Sequence, residues 1–350
     1  MKQYYTYDNG LELESGDRLS SLTIAYSTYG TLSPDRSNVV WVMHALTADS
    51  DVAEWWPHTV EKNKFLDPEH YFVVCANVLG SCYGTTGPTS TDPKTGQPYY
   101  DSFPDVTVGD MVECHRLLAA HLGIKHIDTI IGSSLGGFQA IEWLVRDPDI
   151  ADKAILIATD YRCRPWLAAI NKSMTMAVYA DATMGEESAD AGRKGLAAAR
   201  AIGLLVYRSC HAFDSTQDEP EDDGTVFDRK VHHYQEYQGK KLCDRFDAYS
   251  YVRMCRAADS HDVGRGRGSR SDAIGRIKAR CLVIAISSDI LFPPSYHKEM
   301  AKMIPSAEYH EIESDFAHDG FLIEHEKLNR IILDFRQKTD KDNTQGGRPR

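Results

Sequence analysis

Asp128-Thr-Ile-Ile-Gly132-Ser133-Ser134-Leu135-Gly136-Gly137-Phe-Gln-Ala-Ile-Glu-Trp-Leu-Val145 decides the architecture of this chain. A short β-branched run leads into a G-x-S-x-G turn, and an apolar stretch with helical periodicity follows. A strand that turns this sharply into a helix lifts the serine to the carboxyl edge of a sheet, under the positive end of the helix. The flanking glycines at 132 and 136 belong to that turn, because a Cβ there would collide with neighbouring backbone. Ser134 alone has glycine at both −2 and +2, so it is the candidate nucleophile and Ser133 is not.

Outward from this point the same grammar repeats. Apolar runs rich in β-branched residues recur at 22–26, 39–43, 71–75, 127–131, 154–158 and 281–286, each bounded by Gly, Asp, Ser or Pro. Such runs read as strands buried on both faces. Helical patterns lie between them, among them 108–121, where Met111, Val112, Cys114, Leu117, Leu118 and His121 fall near one face and Gly123 supplies a stop. Alternation of this kind predicts an α/β fold, a mostly parallel sheet with helices on both sides. Residues 161–270 break the pattern. They hold helix-like segments at 193–205, 230–240 and 244–258 and an acidic loop at 214–228, which predicts a helical cap inserted into a core of 1–160 and 271–336. Residues 337–350 carry no large apolar side chain and read as a frayed tail.

An elbow serine needs a base and an orienting acid, and in this fold they follow it in the order acid, then histidine. The histidines past Ser134 are His211, His232, His233, His261, His297, His310, His318 and His325. His318 lies in a small-residue loop after the strand-like AEYHEI and before the helix-like FLIEHEKLNRII, where a last strand presents a base. His310 alternates within that strand and His325 falls on the helix. Asp289 follows the apolar LVIAIS and precedes Leu-Phe-Pro-Pro, whose prolines stiffen a loop. The oxyanion hole requires two backbone N–H groups. These are assigned to Leu135, next to the nucleophile, and Leu46, in the loop after 39–43. His44 at that strand end is expected only to bond backbone.

Composition limits the rest. The 350 residues include 39 Lys plus Arg against 51 Asp plus Glu, a formal charge of −12, which opposes a general nucleic-acid surface. Residues 71–91 are uncharged but contain Asn77, several glycines and Pro88, so no spanning helix is expected there. No basic-then-apolar segment opens the sequence, and the eight scattered cysteines form no C-x-x-C pair. A cytoplasmic protein with reduced thiols is the expectation. Neither H-E-x-x-H nor clustered Cys/His appears, so no metal is expected.

Several blocks together resemble one family. They are His44-Ala-Leu-Thr47 with Trp55-Trp56, Asn77-Val-Leu-Gly-Ser-Cys-Tyr-Gly-Thr-Thr-Gly-Pro88, Gly132 to Trp143, Tyr207-Arg-Ser209, Arg245-Phe-Asp-Ala-Tyr-Ser250, Gly264-Arg-Gly-Arg-Gly-Ser269, Asp289 to Pro294 and His318-Asp-Gly-Phe321. These are similar to homoserine O-acetyltransferases, α/β-hydrolase-fold enzymes of methionine biosynthesis, across residues 5–335. Ser133 and Ala48 stand where that family usually has glycine. The resemblance implies acetyl-CoA as acyl donor, L-homoserine as acceptor, no permanently bound cofactor, a ping-pong acyl-serine route and a homodimer through the cap. It also implies Arg208 for the substrate carboxylate and Asp319 for its ammonium. Trp55 and Trp56 are expected to pack, and the contacts of 264–269 stay open. Succinyl-CoA as donor, serine as acceptor, a plain serine esterase and an inactive scaffold are the alternatives.

Overall fold

In the computed structural model, which describes residues 1–220 and 227–345, eight strands form one sheet. In chain order they are β1 Gln3–Tyr7, β2 Leu22–Tyr29, β3 Val39–Met43, β4 Phe72–Ala76, β5 Ile127–Ser133, β6 Ala151–Ile157, β7 Arg280–Ile286 and β8 Ala307–Ile312. The spatial order is β1-β2-β4-β3-β5-β6-β7-β8. The first two pairings are antiparallel and the other five parallel. Every residue of β3 is buried, as its unbroken apolar run requires of a central strand covered on both faces.

Helix α1, Val108–His121, starts on a capping box in which Thr107 accepts from the Asp110 amide and Asp110 from the Thr107 amide. Its buried face includes Met111, Val112, Cys114 and Leu118. His121 departs from the expected face: it is exposed and stacks on Tyr5 at 4.0 Å. Helix α2, Leu135–Arg146, leaves the elbow and is almost wholly buried.

Between β6 and β7 the chain is helical: α3 Pro165–Tyr179, α4 Arg193–Tyr207, α5 Cys210–Gln217, α6 Lys230–Cys243, α7 Ala248–Asp259 and α8 Arg270–Ile274. The neck of this insertion is a small ladder in which Arg162 bridges Asp262 and the Cys163 amide donates to His261 O at 2.7 Å. The Gly264–Ser269 loop therefore lies past the neck. There Arg265 meets Glu14 at 3.0 Å and Arg267 meets both carboxylate oxygens of Glu142 on α2. Those carboxylates pair with the loop's two arginines.

Two expectations need correction. The acidic stretch is not loop throughout, since 214–217 belong to α5; residues 221–226 lie outside the described residues. The segment after Phe335 is not frayed at 337–345: α9 Pro294–Met303 and the short α10 Gly320–Ile323 are followed by α11, His325–Gln345, one continuous helix. Its first half buries Leu328, Ile332 and Phe335, and a helix nucleated there extends at one hydrogen bond per residue fixed. Residues 346–350 lie outside the described residues.

Candidate active site

The elbow is a strained backbone built by close contacts. Ser134 sits at φ 54° and ψ −125° between β5 and α2, a conformation that persists only where the surroundings over-determine it. A Cβ at Gly136 would land on the Met43 carbonyl oxygen and one at Gly132 on the Gly136 carbonyl oxygen, so helix and strand approach to backbone contact. The Ser134 amide donates to Ile157 O at 3.0 Å, and its carbonyl accepts from Thr159 Oγ1 at 2.8 Å. Ser133 ends the strand buried, its hydroxyl facing no partner.

The structure brings the three predicted side chains together. His318 Nε2 lies 2.9 Å from Ser134 Oγ, and His318 Nδ1 lies 2.8 Å from Asp289 Oδ2. The other Asp289 oxygen accepts from the Leu291 and Phe292 amides at 2.8 and 3.0 Å, which fixes the carboxylate. Asp289 and His318 are both buried. With an acceptor carboxylate at Nδ1, the imidazole carries its proton there and leaves Nε2 free to take one from the hydroxyl. This geometry activates a serine for attack on an acyl carbon.

Leu46 and Leu135 both line the cavity above Ser134, and among the described residues their amides have no protein acceptor. His44 holds that loop as expected. Its Nδ1 donates to Ala45 O at 2.8 Å and its Nε2 accepts from the Val78 amide at 3.1 Å, while burial holds its pKa down.

Arg208 and Asp319, which the resemblance assigns to the substrate carboxylate and ammonium, are paired with each other. Asp319 lines the cavity, whereas Arg208 does not; its Nε donates to Asp319 Oδ2 at 3.2 Å, and its guanidinium lies 5.3 Å from the Tyr234 ring centre. Both are half-buried, and neighbouring opposite charges in that setting pair. Trp56 packs as expected, buried with its Nε1 on Phe321 O at 2.9 Å. Trp55 also packs, stacked on Trp56, and its other side lines the cavity.

The cavity measures about 460 Å³, with a floor of buried apolar side chains, Leu135, Phe138, Leu291 and Phe292, and the cap helices, among them α3 with buried Leu167, as its roof. Sequence reasoning missed two groups here. One is the support of Thr159 by His297, a buried side chain whose Nε2 accepts from the Thr159 amide at 2.9 Å. The Pro-Pro before α9 had signalled a rigid loop, but not what its next turn would touch. The other is a trio of cations, Arg200, Lys241 and Arg245, on the cavity wall. Arg245 stood within a quoted block and could have been singled out. Among the described residues no cluster of His, Cys, Asp and Glu is arranged to hold a metal, and no helix is long and apolar enough to cross a membrane.

These features define a class, the α/β-hydrolase fold, whose family model matches residues 38–324. A homoserine O-acetyltransferase from Cyclobacterium marinum is 42% identical over 334 residues, 95% of each chain. The crystal structure of homoserine O-acetyltransferase from Bacillus anthracis superposes with a TM-score of 0.89 at 24% identity, covering 96% of this chain and 97% of that one. An acetylester hydrolase from Corynebacterium glutamicum gives 0.82 at 25% identity, covering 94% and 95%. This chain belongs to the homoserine O-acetyltransferase family.

Proposed function

We propose that the chain transfers the acetyl group of acetyl-CoA to the hydroxyl of L-homoserine, a step of methionine biosynthesis. The observation that carries this is the continuous Ser134–His318–Asp289 relay at the foot of a roofed cavity, with Asp319 beside the base. In the first half-reaction His318 Nε2 takes the Ser134 proton as Oγ bonds to the thioester carbon. The oxyanion rests on the Leu46 and Leu135 amides, the C–S bond breaks, and His318 returns the proton to the departing sulfur. Asp289 stabilises the imidazolium while it exists. In the second half-reaction homoserine's hydroxyl gives its proton to His318 and attacks acetyl-Ser134; collapse expels Ser134 Oγ, which recovers the proton. The Arg208–Asp319 pair supplies a cation for homoserine's carboxylate and an anion for its ammonium. No bound cofactor enters the scheme. A cytoplasmic homodimer through the cap accords with this reading, and Met176 and Tyr179 of α3 are exposed on the cap.

Hydrolysis would use the same first half-reaction, so the acceptor is what must be measured. A CoA-release assay crossing acetyl-CoA and succinyl-CoA with homoserine and serine should give a burst stoichiometric with enzyme, then turnover only when homoserine accompanies acetyl-CoA. Rapid release with no response to homoserine would identify an esterase instead.

A further inference from the structure

We infer that Gln139 is a positioning residue for the oxyanion hole, its side-chain amide tying together the two backbone segments that carry the Leu46 and Leu135 N–H groups. This role rests on acyl transfer at Ser134, and Gln139 itself touches no substrate: it is wholly buried and does not line the cavity. The two oxyanion donors come from different elements. Leu46 stands in the loop after β3, two residues past His44, and Leu135 opens α2. Gln139 Nε2 donates to Leu135 O at 3.2 Å and to His44 O at 3.5 Å, so its two hydrogens serve one element each. Each anchored peptide is the immediate chain neighbour of a peptide that carries an oxyanion N–H, and planar units pass orientation along. The same two surfaces are in backbone contact, since a Cβ at Gly136 would collide with Met43 O and come within 3.1 Å of His44 O.

The orientation of this amide is determined from both ends. Trp41 Nε1–H, on β3, can only donate, and it donates to His115 Nδ1 on α1 at 3.3 Å. The ring proton of His115 therefore sits on Nε2, which donates to Gln139 Oε1 at 2.8 Å. At the far end both partners are carbonyl oxygens, which demand the amide nitrogen. An amide whose oxygen and nitrogen could otherwise exchange places is thus locked one way round. The imidazole is held in its turn, parallel to the Trp143 ring of α2 at 5.9 Å between centres and edge-on to Trp41. Burial lowers its pKa to about 4, which keeps it neutral and able to accept from the indole. Trp41, His115 and Gln139 are each at most 1% exposed. A buried amide costs free energy unless its bonds are made, and every bond of Gln139 leads to a segment of the oxyanion hole or to the side chain that orients it.

The test uses p-nitrophenyl acetate, which loads the oxyanion hole whatever the natural donor and acceptor. Gln139→Met should lower the acylation and deacylation rate constants alike by about 10- to 100-fold, less than outright loss of one oxyanion donor, with KM changed by no more than about twofold. Affinity for a trifluoromethyl ketone, which adds to Ser134 as a tetrahedral anion, should fall by the same factor. His115→Phe keeps a ring and removes the orienting donor, and it should move rates and ketone affinity the same way by a smaller factor. Wild-type rates in Gln139→Met, or slower rates without a matching loss of ketone affinity, overturn the proposal. If Gln139→Met does not fold, His115→Phe and the wild-type tautomer of His115, read by nitrogen NMR, decide it: a proton on Nε2 is expected, and one on Nδ1 overturns it. Acetyl-enzyme formation by the wild type, read by intact mass, reports separately on the acyl-transfer reading.

Discussion

The floor of the cavity and its roof are built on opposite principles. On the floor each reacting group is held by several short contacts: the elbow by backbone packed against backbone, Asp289 by two amides, Thr159 by His297. On the roof the long side chains are less restrained: Arg208 bonds Asp319, Arg200 is half-buried, and Lys241 and Arg245 are exposed. Chemistry tolerates little positional error, and a floor this constrained meets that demand before any substrate arrives. A roof of partly exposed cations and aromatic rings suits a different demand, that of admitting and releasing a large donor and a small acceptor in turn.

The comparison breaks if removing a floor group leaves chemistry standing. Ser134→Ala should lower kcat by about 10⁴-fold or more and abolish the acetyl-enzyme. A persistent adduct on the variant would place the acyl group elsewhere. A roof change should separate the half-reactions: Arg208→Ala is expected to raise the homoserine KM by about 100-fold while the acylation burst stays near its wild-type rate. If both half-reactions fell equally, the pair would serve folding and the contrast between floor and roof would fail.

The smallest effect concerns stability. Burial pushes His115 and His297 from 6.5 down to about 4 and His261 to about 3. Two of them use a ring nitrogen as acceptor, His297 from the Thr159 amide and His115 from Trp41 Nε1 at 3.3 Å, which demands the neutral ring. As pH falls below 6.5 the unfolded chain takes up protons that the folded chain refuses. Stability therefore declines from about pH 6.5 toward pH 4, and the slope flattens once the folded rings protonate. Urea midpoints between pH 7 and 5 read this directly, and a constant midpoint would refute it.

The floor was legible in the sequence because its geometry is local. The elbow needs its glycines beside its serine, and Asp289 and His318 each stand just past a recognisable strand. The helix at 108–121 was equally plain, since its period and its stop residue are written in one stretch. The roof was not legible in the same way. That Arg208 meets Asp319, or that Arg200 and Lys241 turn toward one opening, depends on how α4 and α6 lie over the sheet, which no short pattern encodes. The helix through 337–345 was missed for a related reason: propensity in a charged segment is weak until a packed neighbour extends it.

The Arg208–Asp319 pair has a consequence for how an amino acid could enter. Before substrate arrives, the proposed recognition site is already its own counter-ion, so neither charge has to stand bare or recruit salt from solution. A zwitterion that slides between them exchanges one ion pair for two, with no change in the net charge of the chamber. A neutral alcohol of the same size would have to part the pair and return nothing, which makes the resting contact itself a filter against acceptors lacking both charges.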